Sequence, residues 1–357
     1  MVLRGCVIVL FTTVALRTSI GESSPFRHRL LRQLSSLPES DQRTINEFVA
    51  AKFGGKELVF DADVPIDFGD MDENPGVERG WKLQRGRQLY VQNCQQCHGQ
   101  LGDGNGRDAV LLSSPPRDFQ TSEFRWKEVL FTQRPTRHDI AETLRIGIPG
   151  TAMQPTSVSE ADRLLIAEYT RWLAIRGEVW RRSIQGVIGN SDGTSVQEEC
   201  EYAFDAACKK WGNPDLNKTS ISTDRVSSAE SIARGRQLFV LKKCTNCHGV
   251  DGRGNGEQTK IVHRDTFGKS NPRSGLFDGD GRHILPRNLV TDPLKGGNSR
   301  RDIYGRIVNG IGFSKMPYFH SVLNPDEVWD VVDYVESIRE NPLQKQARVP
   351  QPMAKKH

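Results

Sequence analysis

The chain has 357 residues, 36% apolar and 26% charged, which suits two ordinary domains plus extensions, a polar surface and much loop. Its 49 basic and 44 acidic residues leave a formal charge of +5, too small an excess to argue for a nucleic-acid partner.

Residues 1–21 have the pattern of a secretory signal, with Arg4 as the positive start and an apolar core from Cys6 to Leu16. The run is too short to cross a bilayer, which takes roughly 20 residues. The apolar run follows Cys6 instead of preceding it, so this is not a lipoprotein signal. The expected location is periplasmic, with membrane association left open. Residues 22–77 form an N-terminal extension with one amphipathic helix, Asp41 to Ala51, and no evident task.

The first domain is expected over 78–183. Its opening helix places Trp81, Leu89 and Tyr90 on helical spacing. It leads into Cys94-Gln95-Gln96-Cys97-His98, whose spacing lets two thiols bond to a porphyrin while the adjacent imidazole reaches its iron, as in a haem c attachment site. Cys-x-x-Cys also serves thiol redox pairs and zinc sites. A zinc ribbon would bring its second pair within roughly 15–20 residues. Here it returns 150 residues later as Cys244-Thr245-Asn246-Cys247-His248, again with the His. Two covalently attached haem c groups are expected, each with one iron.

A glycine-dense loop follows, Gly99 to Gly106, and then Pro116-Arg117-Asp118-Phe119 with Phe124 and Trp126, aromatic residues suited to a haem edge. A helix near Thr136–Arg145 is broken by Gly147, Pro149 and Gly150 before Met153. A long helix from Ser157 or Ser159 to Trp180 closes the domain.

Residues 184–226 read as a linker with one helical segment, Gln197 to Trp211. Cys200 and Cys208 on one straight helix would stand about 12 Å apart, too far for a disulfide. An oxidising compartment tips the expectation slightly toward a break in the helix and a bond.

The second domain, 227–342, repeats the plan. Gly235 to Val240 echoes Gly86 to Val91, Gly249 to Gly256 echoes the glycine loop, and Pro286-Arg287 echoes Pro116-Arg117. Pro286 lies 38 residues after His248, against 18 from His98 to Pro116, so a loop of about 20 residues is inserted near 257–283. A closing helix is expected over Pro325–Glu340, and 343–357 is a basic tail expected to be disordered.

Of five Met residues, Met153 and Met316 fall once per repeat, 55 and 68 residues after their His. That recurrence favours iron ligation over mere core filling, with His98 and His248 as the opposite ligands. His138, His263, His283 and His320 have no counterpart in the other repeat. Arg117 and Arg287 do recur, and a guanidinium at that place suits a haem propionate.

These residues resemble the class I cytochrome c family over roughly 79–342, apart from the linker and the insertion. More narrowly, Pro116 to Phe119, Gly147 to Met153 and Ala174 to Val179 look like the c-type cytochromes encoded in numbers by planctomycete bacteria, many of them respiratory carriers or oxidase-associated subunits. The resemblance implies an all-α fold of two tandem haem domains with long loops. One departure is Gln154 after Met153, where Met316 has Pro317. The expected function is single-electron transfer between a redox protein donor and acceptor, with no chemistry of its own. The alternatives are a dihaem peroxidase, or the cytochrome subunit of a membrane oxidase or periplasmic dehydrogenase complex.

Overall fold

The computed structural model describes residues 25–339 apart from 55–57, 60, 62, 67, 69–74, 131, 213–218, 265–269, 271–272, 279–280 and 313. The expected signal and basic tail lie outside the described residues. In chain order the helices are α1 (Pro25–Ser35), α2 (Glu39–Phe53), α3 (Pro75–Asn93), α4 (Gln95–His98), α5 (Arg137–Ile146), α6 (Glu160–Gly189), α7 (Val196–Trp211), α8 (Ala229–Leu241) and α9 (Thr245–His248). A two-stranded antiparallel ribbon follows, β1 (Leu276–Phe277) with β2 (His283–Ile284), and then α10 (Arg300–Asn309) and α11 (Pro325–Ile338). The fold is all-α, with the ribbon at the end of the expected 257–283 insertion, β2 reaching one residue past it.

The two repeats are built by one rule. In each, the helix before the Cys pair crosses the closing helix at a glycine. A Cβ on Gly86 would stand 2.5 Å from the Leu165 carbonyl oxygen, and one on Gly235 would stand 1.8 Å from that of Asp330. Tyr90 then meets Tyr169, and Phe239 meets Tyr334, each edge to face at 5.3 Å between ring centroids. Such ring pairs add to the burial that holds the crossing. Capping boxes start α5 at Thr136, α10 at Ser299 and α11 at Asn324, while Ser159 caps α6 through the Asp162 N–H. Each supplies acceptors for first-turn N–H groups that the helix leaves unpaired.

The cores are separate. Phe239, Ile303, Tyr304, Val328, Trp329 and Val332 centre the second. The first reaches beyond its repeat. It takes Ile45, Phe48, Val49 and Phe53 from α2 and Cys200, Phe204, Ala207 and Trp211 from α7. Phe53 meets Trp172 edge to face at 5.6 Å. Helix α2 of the extension and helix α7 within 184–226 are therefore structural parts of the first domain, and α6 runs nine residues past Trp180 to support them. The signal for α7 was its apolar stripe at 200, 203, 204, 207 and 211, a spacing that asks for a partner. Trp81, on the same helical spacing as the buried Leu89 and Tyr90, is 63% exposed.

One buried carboxylate of α6 ties α7 and the chain before α5 into this core. Glu178, fully buried, receives two hydrogen bonds at 2.8 Å from Arg134 through Nε and Nη2, one at 2.8 Å from Arg182 and one at 3.0 Å from Trp211 Nε1. Burial alone would raise this carboxyl. The Arg134 pair, with Trp211 and Arg182, more than offsets it and holds the pKa at about 2. A carboxylate depressed in the folded state stabilises fully above its unfolded value near 4.5, and loses that contribution as pH falls toward about 2. The span corresponds to about 3 kcal/mol. Acid titration followed by tryptophan fluorescence should show the α7 side of the first domain loosening between those values. Glu178→Ala, which strands Arg134 inside, should cost about 3–5 kcal/mol in urea unfolding. A wild-type stability that stays flat over that interval would exclude the account.

Cys200 and Cys208 are both free, eight residues apart on the unbroken α7. The slight expectation of a disulfide is corrected by that continuity, because a helix cannot bring two such residues within bonding distance.

Candidate functional site

Each Cys pair is carried on a single turn that leaves a helix. Cys94 is the residue before α4, and its carbonyl accepts from the N–H groups of Cys97 (3.1 Å) and His98 (2.9 Å). Cys244 does the same for Cys247 (3.3 Å) and His248 (2.9 Å) at α9. The winding is what places two thiols and one imidazole on one short arc.

The imidazoles are held by the chain's own backbone. His98 Nδ1 donates to the Arg117 carbonyl at 3.2 Å, and His248 Nδ1 donates to the Arg287 carbonyl at 3.1 Å. A proton on Nδ1 leaves the Nε2 lone pair for a metal, and such an outer hydrogen bond fixes both tautomer and ring orientation. Burial pushes the His98 pKa down to about 4, partly countered by the Arg117 carbonyl, so the ring is neutral. His248 is lowered as well, again by burial. In the first site Phe119 stacks on His98 at 4.6 Å and 18°, which further pins the ring. In the second site Phe239 lies 6.4 Å from His248 at a tilt.

These hydrogen bonds give the recurrent arginines a second role. Their repeat had suggested a guanidinium on a propionate, whereas the contact seen in both domains is made by the backbone carbonyl. The Arg287 side chain pairs with Asp292 at 3.2 Å. A backbone carbonyl role is invisible in side-chain chemistry, although the repeated Pro-Arg at each site was its trace.

The two methionines sit on matching loops. Thr136 to Met153 and Ser299 to Met316 are both 17 residues, and each Met N–H donates at 3.1 Å to a hydroxyl, Thr151 or Ser314. Both side chains are partly buried, Met153 against the first core and Met316 against the second. The other histidines go elsewhere. His138 is exposed on α5, and His263 Nε2 bonds the Gln258 carbonyl at 3.0 Å. His283 meets Phe277 edge to face at 5.4 Å, and His320 lies against Tyr318 at 5.0 Å.

Two alternatives fail on this geometry. A redox dithiol needs a thiol with a depressed pKa. Here burial pushes Cys94 up to about 12 and Cys244 up to about 11. Zinc needs a cluster of ligands, and among the described residues no group of three or more His, Cys, Asp or Glu side chains is arranged to hold a metal ion. The donor set, two thiols and an imidazole held by Nδ1 with a thioether loop on the same core, fits a covalently bound haem.

Residues 232–339 match the cytochrome c family, and residues 82–169 match cytochrome C oxidase, cbb3-type, subunit III. Among solved structures, a chain of the reducing HAO-like protein complex of Kuenenia stuttgartiensis is similar in fold at a TM-score of 0.52 and 22% identity, over 77% of this chain and 99% of that one. No curated protein matches the sequence.

Proposed function

From a chain that carries two cytochrome c domains in tandem, which imply covalently bound haem c, we infer an exported dihaem electron carrier, each iron ligated by His and Met. Haem c bound at these sites supplies a one-electron ferric/ferrous couple. The chain does the rest. Cys94 with Cys97, and Cys244 with Cys247, provide thiols for attachment. Burial keeps His98 and His248 neutral, and the Arg117 and Arg287 carbonyls hold the proton on Nδ1 and aim Nε2. Met153 and Met316 provide a thioether, which raises a potential relative to a second imidazole. The closing helices α6 and α11 exclude water from the two cores.

The observation that carries this reading is the duplicated His Nδ1 to Arg carbonyl hydrogen bond beside each Cys pair. The location we propose is periplasmic, and no helix among the described residues is long and apolar enough to cross a membrane. Donor and acceptor are redox proteins. The fold shared with a subunit of a redox complex favours service inside such an assembly over free diffusion as a second form of the same role. The test is haem quantification and peroxide turnover on the exported protein. Two covalent haems per chain and negligible turnover are expected. Peroxide reduction at or above about 1 per second, within the range of ordinary enzymes, would replace the carrier with a peroxidase.

A further inference from the structure

The internal duplication also shows where the second repeat departs from the first on its outer surface. Helices α8 and α11 leave an open groove beside their crossing, lined by Ile232, Arg236, Val240 and Leu241 of α8 with Tyr334 and Ile338 of α11. Val240 and Leu241 are 55% and 72% exposed, and among the described residues no acidic side chain lines the groove. In the first repeat the same face is shut. Leu83 stands to Gly86 as Ile232 stands to Gly235, and Leu173 to Tyr169 as Ile338 to Tyr334. Both leucines are 1% exposed. There α1 packs along α6 and buries Leu30. Its Arg27 donates to Gln120 Oε1 at 3.2 Å and pairs with Asp103 at 2.9 Å.

The second repeat has lost the anchors for such a helix and gained cations. Asp103, five residues after His98, becomes Arg253, five after His248, and Gln120 becomes Val290. Arg253 stands at the Ile338 end of the groove, since a Cβ on its neighbour Gly252 would lie 2.6 Å from Ile338 Cδ1. It pairs with Asp251 at 3.5 Å, both about half exposed, and so open a pair contributes little and leaves the guanidinium free for a second carboxylate. Arg236, inside the lining, has no ion-pair partner among the described residues. An exposed apolar strip beside unopposed cations marks an interaction surface, and what complements it is an apolar stripe with acidic flanks. Two nearby candidates from this chain have the wrong sign. Helix α1 of a second copy carries Arg27, Arg29 and Arg32 with no acid, and residues 340–357 carry Lys345, Arg348, Lys355 and Lys356 against Glu340 alone.

We propose that the groove between α8 and α11 docks an amphipathic helix of a partner protein, its apolar stripe on Ile232, Val240 and Ile338 and its acidic flanks on Arg236 and Arg253. A helix of about four turns matches it, because the 13 residues of α8 span about 20 Å. The proposal goes beyond the carrier reading by choosing a side. Cys244 follows the end of α8 by three residues, so a partner seated here stands beside the second attachment site and not the first.

Isothermal titration calorimetry on the haem-loaded full chain tests it. The probe is a synthetic helical peptide of about 18 residues, with Leu at the i, i+3, i+4 and i+7 places of one face and Glu on both flanks. Its control has Lys in place of every Glu. The Glu peptide should bind and the Lys peptide should not. Arg236→Glu should weaken the Glu peptide about tenfold or more and let the Lys peptide bind. Val240→Ser, at an exposed position outside the core, should weaken the Glu peptide as well. Binding of neither peptide, of both alike, or of the Glu peptide with no response to Arg236→Glu would overturn the proposal. Uptake of the Glu peptide only after the chain is cut behind Asn341 would make the C-terminal segment the occupant and overturn it too. A dimer in sedimentation velocity that Val240→Ser dissolves would do the same in favour of a second copy. None of these measurements reads the haems, so failure here leaves the carrier reading standing.

Discussion

Replacing Cys94 and Cys97 together by Ala should leave one covalently bound haem per chain where the parent has two. Both thiols flank the turn that presents His98, and neither Cys200 nor Cys208 can substitute, since both lie on α7 with no imidazole following them. The second site is built on α8, α9 and α11 with its own core, so its haem should be retained with an unchanged spectrum. The check is haem stoichiometry from absorbance after acid–acetone extraction of loosely held pigment. Two haems surviving in the double variant would show that the first motif is something else. The effect is all or none because a covalent anchor is removed.

The next largest effect concerns Met153 and Met316. Replacing either by Ala should remove one sulfur-to-iron charge-transfer band in the near infrared, lower the potential of that haem and open its iron to exogenous ligands such as imidazole. The other domain should be unaffected, because the two methionines pack on separate cores. The matched loops, each 17 residues from a capping Thr136 or Ser299, imply that the two substitutions behave alike despite Gln154 replacing the proline found at Pro317. A protein whose bands and midpoints are indifferent to both changes would return the two residues to core filling.

Much of this was legible because the chain says it twice. The Cys pairs, the glycine loops, the Met loops and the closing helices recur in order, and the structure pairs α3 with α6 as it pairs α8 with α11. The resemblance to dihaem c-type cytochromes of planctomycete kind rests on the same repeats. What appears once was harder to read. The helices of the extension and of the linker segment have no counterpart in the second repeat, so only their own apolar stripes hinted that they were core. The backbone role of Arg117 and Arg287 was not legible, because the atom that touches each His is a backbone oxygen any residue could supply. The contact between Trp126 and Gly296 was hidden for a further reason. Equivalent places in two repeats meet only through tertiary packing, which no local pattern encodes.

The clasp between Glu178 and Trp211 also joins parts of the chain that lie well after the first attachment site. A chain delivered N-terminus first presents Cys94, Cys97 and His98 before Glu178 exists to anchor anything, and well before Trp211 arrives to be anchored. In the finished domain Cys94 is only 8% exposed, so its sulfur is hard to reach once the core has shut. A first domain that completes its core only when Trp211 docks on Glu178 would leave these thiols open to a porphyrin until then.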